Sequence, residues 1–128
     1  MMGEAEQRDL IARFVAAYNR FDVNGMLALV ADDVRFENLS AGVVTASASG
    51  AAEFRALAEQ ATALFREREQ RVTGVVFRDG VAVAAIAYRG VLAVDVPGGP
   101  PAGTVLELTG ESEFGFTGAR IGRLTDRS

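Results

Sequence analysis

The chain has 128 residues, a formal net charge of −4, and neither Cys nor His. One domain is the expectation at this length, since two would each be too small to bury a good core. Disulfides, thiolate and imidazole metal sites, a Cys nucleophile and a Ser-His-Asp triad are excluded. The 13 basic residues are all Arg, so a Lys Schiff base is excluded as well. The acidic balance argues against nucleic acid and anionic membrane surfaces as partners. No apolar run approaches the roughly 20 residues of a membrane span. Glu4, Glu6 and Asp9 make the first ten residues unlike a signal peptide, so a cytoplasmic location is expected. Any catalysis would rest on Asp, Glu, Tyr, Ser, Asn, Arg or backbone.

In chain order, Leu10, Phe14, Ala17, Tyr18 and Phe21 recur at helical spacing and predict a first helix over about 4–21. Asp22 is a candidate cap for a short second helix over about 23–31. Val34, Phe36 and Asn38 alternate with Arg35, Glu37 and Leu39, as in a strand with one buried face. Val43 to Thr45 is a weaker strand candidate. Phe54, Leu57, Ala58, Ala61, Leu64 and Phe65 form the stripe of a third helix, about 51–67. β-rich stretches follow at 70–78, 81–96, 104–117 and 120–126. Asp79-Gly80 marks a hairpin turn, and Pro97 to Pro101 a longer loop.

Helices first and a meander of strands afterwards indicate an α+β fold with an antiparallel sheet. Gly74, Gly90, Gly110 and Gly115 lie inside strand patterns, where glycine marks bulges or bends. A strongly bent sheet closing over the long first helix would leave a hollow, the kind of space that takes a small molecule. Phe14, Val34, Phe36, Leu57, Leu108, Phe114 and Leu124 are expected to face it.

Several stretches resemble a known family. Phe14-Val15-Ala16-Ala17-Tyr18-Asn19, Asp22 to Val34, Gly50-Ala51-Ala52-Glu53-Phe54, Phe114-Gly115-Phe116 and Ile121 to Asp126 are similar, in order and spacing, to the SnoaL-like and ketosteroid-isomerase-like proteins. These belong to the nuclear-transport-factor-like superfamily. The resemblance covers nearly the whole chain, residues 1–128 as one domain. It implies three helices, a cone-shaped α+β barrel with an interior pocket, and a homodimer formed through the outer face of the sheet. Val72, Val75 and Val91 could supply an apolar patch there.

Ketosteroid isomerases use an Asp base and an oxyanion hole of a Tyr and a protonated Asp. By the resemblance, the Tyr matches Phe14, the base matches Asn38, and the oxyanion-hole Asp matches Ser112 (or, with a strand shift of one, Glu111 or Glu113). Ketosteroid isomerisation is therefore not expected. In relatives resembling limonene-epoxide hydrolase, a catalytic Asp matches Asp126. Their companion Arg and Asp on a preceding strand have no counterpart in Val83 to Tyr88.

Asp126 shares a face with Leu124 and is the candidate catalytic acid or base; the alternative is a rim carboxylate paired with Arg89 or Arg123. Candidate substrate-binding residues are Phe14, Tyr18, Phe36, Asn38, Tyr88, Ser112, Phe114 and Leu124. Asn38, Tyr18 and Tyr88 have equally ordinary readings as structural or core residues. Glu107, Glu111 and Glu113 read as a solvated outer stripe. Arg66, Glu67, Arg68, Glu69 and Arg71 read as a solvated charge cluster. No metal or cofactor is expected. Three functions stay open: a cofactor-free cyclase, isomerase or epoxide hydrolase acting on an apolar, polyketide- or terpenoid-like molecule; a non-catalytic binding module; and a dimerisation domain.

Overall fold

The structure is a computed structural model and describes residues 2–128. Helix α1 runs Glu4–Asn19, α2 Val23–Leu27 and α3 Ala51–Leu64. Six strands follow the pattern β1 Val30–Ser40, β2 Val43–Ser49, β3 Phe65–Arg78, β4 Val81–Leu92, β5 Val105–Thr117 and β6 Arg120–Arg127. They form one sheet in the order β2-β1-β6-β5-β4-β3. This is a cone-shaped α+β fold, with two corrections to the expected sheet. It is mixed, because β6 turns back from β5 and enters beside β1 in parallel. It is also open, with β2 and β3 as its two edges. No helix among the described residues is long and apolar enough to cross a membrane.

Helix α1 ends because its last turn is closed by a left-handed residue. Phe21 has φ 60°, the Phe21 N–H donates to Tyr18 O at 3.1 Å, and the Asp22 N–H donates to Ala17 O at 2.9 Å. That pairing is the Schellman arrangement, which glycine normally occupies. Asp22 then caps α2 by accepting from the Gly25 N–H at 2.9 Å. α2 is shorter than its sequence pattern, because Leu29 O accepts from the Ile121 N–H at 2.9 Å and Val30 joins the sheet beside Ile121. The third helix also stops early, at Leu64, and β3 takes over at Phe65.

Cross-strand register builds the inner face in rows, since paired residues share a face. One row reads Phe77, Ala82, Phe114, Leu124, Phe36, Ala48 from β3 to β2. The next reads Val75, Ala84, Ser112, Asp126, Asn38, Ala46. A third begins Gln70, Tyr88, Leu108. The first row is wholly apolar and packs on Phe14 of α1 and Phe54 of α3. Phe14 lies edge-on to Phe114 at 6.1 Å between centroids, and Phe36 lies 5.5 Å from Phe54. Phe114, Val34 and Ile121 are essentially sealed from solvent.

Irregularities bend the strands as two of the glycines suggest: register shifts fall between Val72 and Gly74 and between Gly115 and Phe116. Gly110 is required for another reason. A Cβ there would collide with the carbonyl oxygen of Arg127, so bare backbone lets the end of β6 approach β5.

Two sequence expectations fail here. Val72 and Val75 pack against the core and Val91 is buried, so they do not form an outer apolar patch. Their parity is set by the bulge at Val72/Gly74, which turns both valines inward. Arg68 is also no part of a solvated cluster, being only 6 % exposed. The strand begins at Phe65, and a register shift between Phe65 and Glu67 resets its alternation, so Arg68 lies on the inner side with Gln70 while Glu67 and Glu69 stay exposed.

Candidate functional site

Between the inner face of the sheet, α1 and α3 lies a cavity of about 490 Å³, within the usual size range of small-molecule sites. Its wall is mainly apolar and includes Phe14, Phe36, Leu57, Ile86, Phe114 and Leu124. Tyr18, Asn38, Tyr88, Ser112 and Asp126 also reach it. The candidate site residues named from the sequence therefore line one space, whereas Val34, expected to face it, is instead sealed in the packed core. Leu108 lines it too, but is 49 % exposed, which puts it at the mouth.

Asp126 is placed by β6, whose alternation buries Leu124 and so turns Asp126 the same way. Its neighbours across the sheet are Ser112 on β5 and Asn38 on β1. The Ser112 hydroxyl donates to Asp126 Oδ1 at 2.7 Å. Asp126 makes no ion pair among the described residues, so neither Arg89 nor Arg123 neutralises it. The cost of stripping water from the carboxylate raises its pKa from 3.8 to about 6, against the smaller opposing pull of the Ser112 bond. Near neutral pH such a group exchanges its proton readily in either direction.

Asn38 is the less free of the polar pair. Its amide nitrogen donates to Thr45 Oγ1 at 2.8 Å, and the Thr45 hydroxyl lies 3.3 Å from the Asn38 carbonyl oxygen. This engages one of the amide's two N–H donors within the protein and fixes the side chain's orientation. Of the acidic stripe, Glu107 and Glu111 are exposed, and Glu113 pairs with Arg127 at 3.2 Å. Among the described residues no group of three or more acidic side chains could hold a metal ion.

At another part of the wall Tyr18 and Tyr88 meet. The Tyr18 and Tyr88 hydroxyls are hydrogen-bonded to each other at 3.2 Å. Burial raises the pKa of both phenols, so both stay protonated at neutral pH. The Asp126 charge contributes to the Tyr18 shift. Arg68 underlies this pair: its guanidinium carbon sits 3.7 Å from the Tyr18 ring centroid and 4.5 Å from that of Phe21. Its Nε donates to the Tyr18 carbonyl oxygen at 3.0 Å, which places a cation on the last turn of α1, where the helix dipole favours one. The sequence signal for Arg68 was parity. Val72 faces inward, so Gln70 and Arg68 do as well once the strand is started at Phe65.

A family model for the SnoaL-like domain matches residues 11–124, and the chain belongs to that family. Among solved structures, it is similar to a proposed polyketide cyclase from Xanthomonas campestris pv. campestris, with TM-score 0.82 and 26% identity over 97% of this chain and 90% of that one. A proposed polyketide cyclase from Pseudomonas putida KT2440 gives TM-score 0.71 and 26% identity over 91% and 86%. A protein of ketosteroid isomerase-like fold from Catenulispora acidiphila, solved with trimethylamine, shares the fold at TM-score 0.74 and 16% identity over 91% and 82%. No curated protein matches the chain.

Proposed function

We propose that this SnoaL-like domain takes a mostly apolar small molecule of the polyketide type into its cavity and moves a proton on it with Asp126, without a cofactor. The observation that carries this reading is the Asp126 carboxyl itself. It stands on an apolar wall, one oxygen is held by Ser112, and its pKa lies near neutrality. A general acid or base works best when its pKa is close to the working pH. Likeness to two proposed polyketide cyclases supports the substrate class.

As a base, the carboxylate takes a proton from carbon beside a carbonyl, and the C–H electron pair moves toward the carbonyl oxygen. As an acid, the carboxyl returns that proton to carbon or oxygen. Ketosteroid isomerisation is outside this reading, because Phe14 offers no donor and Asn38 no base where that reaction needs them. Purified protein is expected to leave a 5-ene-3-ketosteroid at its background rate.

The test needs no knowledge of the natural substrate. Small aryl β-diketones and β-ketoesters that bind the cavity are incubated with protein in deuterium oxide, and exchange of the activated C–H is followed by proton NMR. The parent should accelerate exchange. Asp126→Asn should bind the same compounds and lose about a hundredfold or more of that acceleration. Equal exchange by parent and variant would refute the role of Asp126. Binding by the parent without any exchange would favour a non-catalytic carrier.

A further inference from the structure

The Tyr18–Tyr88 contact has an arithmetic consequence. Two phenol hydroxyls that bond to each other use one proton between them, because only one can donate. The other proton has no acceptor among the described residues. Either hydroxyl can be the donor, so the unspent proton belongs to whichever phenol accepts. Both residues line the cavity, so that proton is presented to whatever fills it.

The bond within the pair polarises the O–H that accepts it and makes that hydroxyl a better donor. Behind the pair, Arg68 is buried and pairs with no carboxylate within 4.0 Å among the described residues. Its positive charge acts on both phenols. This part of the wall is therefore electron-poor and carries a donor without a partner, whereas Asp126, held by Ser112, is an acidic group on another part of it. The Tyr88 ring is itself fixed, edge-on to Phe65 at 6.0 Å and to Tyr18 at 6.4 Å. Gly90 allows this packing, since a Cβ there would come within 2.9 Å of the Phe65 ring.

We infer that the Tyr18–Tyr88 pair is the carbonyl-recognition site of the cavity. The free hydroxyl proton of the pair is donated to a ketone oxygen of the bound molecule, and Arg68 is a positioning residue that holds Tyr18 through its ring and its carbonyl. The inference rests on the reading of the cavity as a small-molecule site and adds the ligand's chemistry: an apolar skeleton bearing a ketone. When a neighbouring carbon loses its proton to Asp126, the electron pair arrives on this oxygen, where the phenol donor meets the growing negative charge.

Two probes separate the claims. 2-Acetylnaphthalene carries the ketone, and naphthalene is the same apolar body without it. Affinities are measured by fluorescence, and the ketone band of the bound probe by infrared spectroscopy. The parent should bind the ketone about five- to tenfold more tightly than naphthalene, as one net hydrogen bond allows, with the band shifted to lower frequency than in an apolar solvent. The double variant Tyr18→Phe/Tyr88→Phe should lose both the preference and the shift without weaker naphthalene binding. Arg68→Met should reduce the shift, which a purely structural cation would leave alone. A ketone band in the double variant equal to that of the parent would overturn the assignment, as would naphthalene binding by the parent with no ketone preference. Failure of both probes to bind would instead remove the small-molecule reading, and this inference with it.

Discussion

Ser112 on β5 and Asp126 on β6 stand opposite each other in register, and the Ser112 hydroxyl donates to Asp126 Oδ1 at 2.7 Å. A hydrogen bond given to a carboxylate favours its charged form. Ser112 therefore holds the Asp126 pKa lower than burial alone would set it. In Ser112→Ala the pKa is expected to move further up, above about 6. The readout is the pH midpoint of proton transfer by the variant, and a midpoint unchanged or lowered would contradict the pairing.

The same carboxyl makes folding depend on pH. Its folded pKa, about 6, lies above its ordinary 3.8, so the folded protein binds more protons in that interval. Its contribution to stability is fully present below about pH 4 and is lost as pH rises through 6. At about 1.4 kcal/mol per unit, the total is roughly 3 kcal/mol at most. Asp126→Asn removes the titrating group. Urea unfolding should show the variant gaining on the parent between about pH 4 and 7. Parallel stability curves across that range would contradict the shift.

Gly110 offers a purely steric check on how β6 is held. An added Cβ runs into backbone at Arg127, which has no flexible side chain to swing away. Gly110→Ala is expected to cost about 1–3 kcal/mol, as overpacking does. Amide hydrogen exchange should also quicken at Ser128 and Ala41, whose bonds tie the end of β6 to β1 and the turn after it. Unchanged protection at both amides would mean that β5 and β6 are less closely apposed.

Much of this arrangement is written in local pattern. The α1 stripe places Phe14 and Tyr18, the alternation of β1 places Phe36 and Asn38, and that of β6 places Leu124 and Asp126; each depends only on the period of its own element. The parallel pairing of β1 with β6 depends on which strands meet, and no residue in either strand encodes it locally. Arg68 was hidden by a boundary. A helix run on to Glu67 leaves the arginine in a charged stretch, whereas a strand from Phe65, with its register shift before Glu67, turns it inward. The left-handed Phe21 was hidden as well, since its conformation is one that glycine usually supplies and its ring is instead engaged with Arg68. The phenol pair was hidden because Tyr18 and Tyr88 are 70 residues apart in the chain.

The central claim is that the cavity wall carries a carboxyl poised to exchange a proton near neutrality. Carbon-13 NMR titration of the Asp126 carboxyl, assigned by the signal lost in Asp126→Asn, measures this directly. The expected midpoint is about 6. A midpoint at the ordinary 3.8 would show a well-solvated carboxylate and would contradict the account.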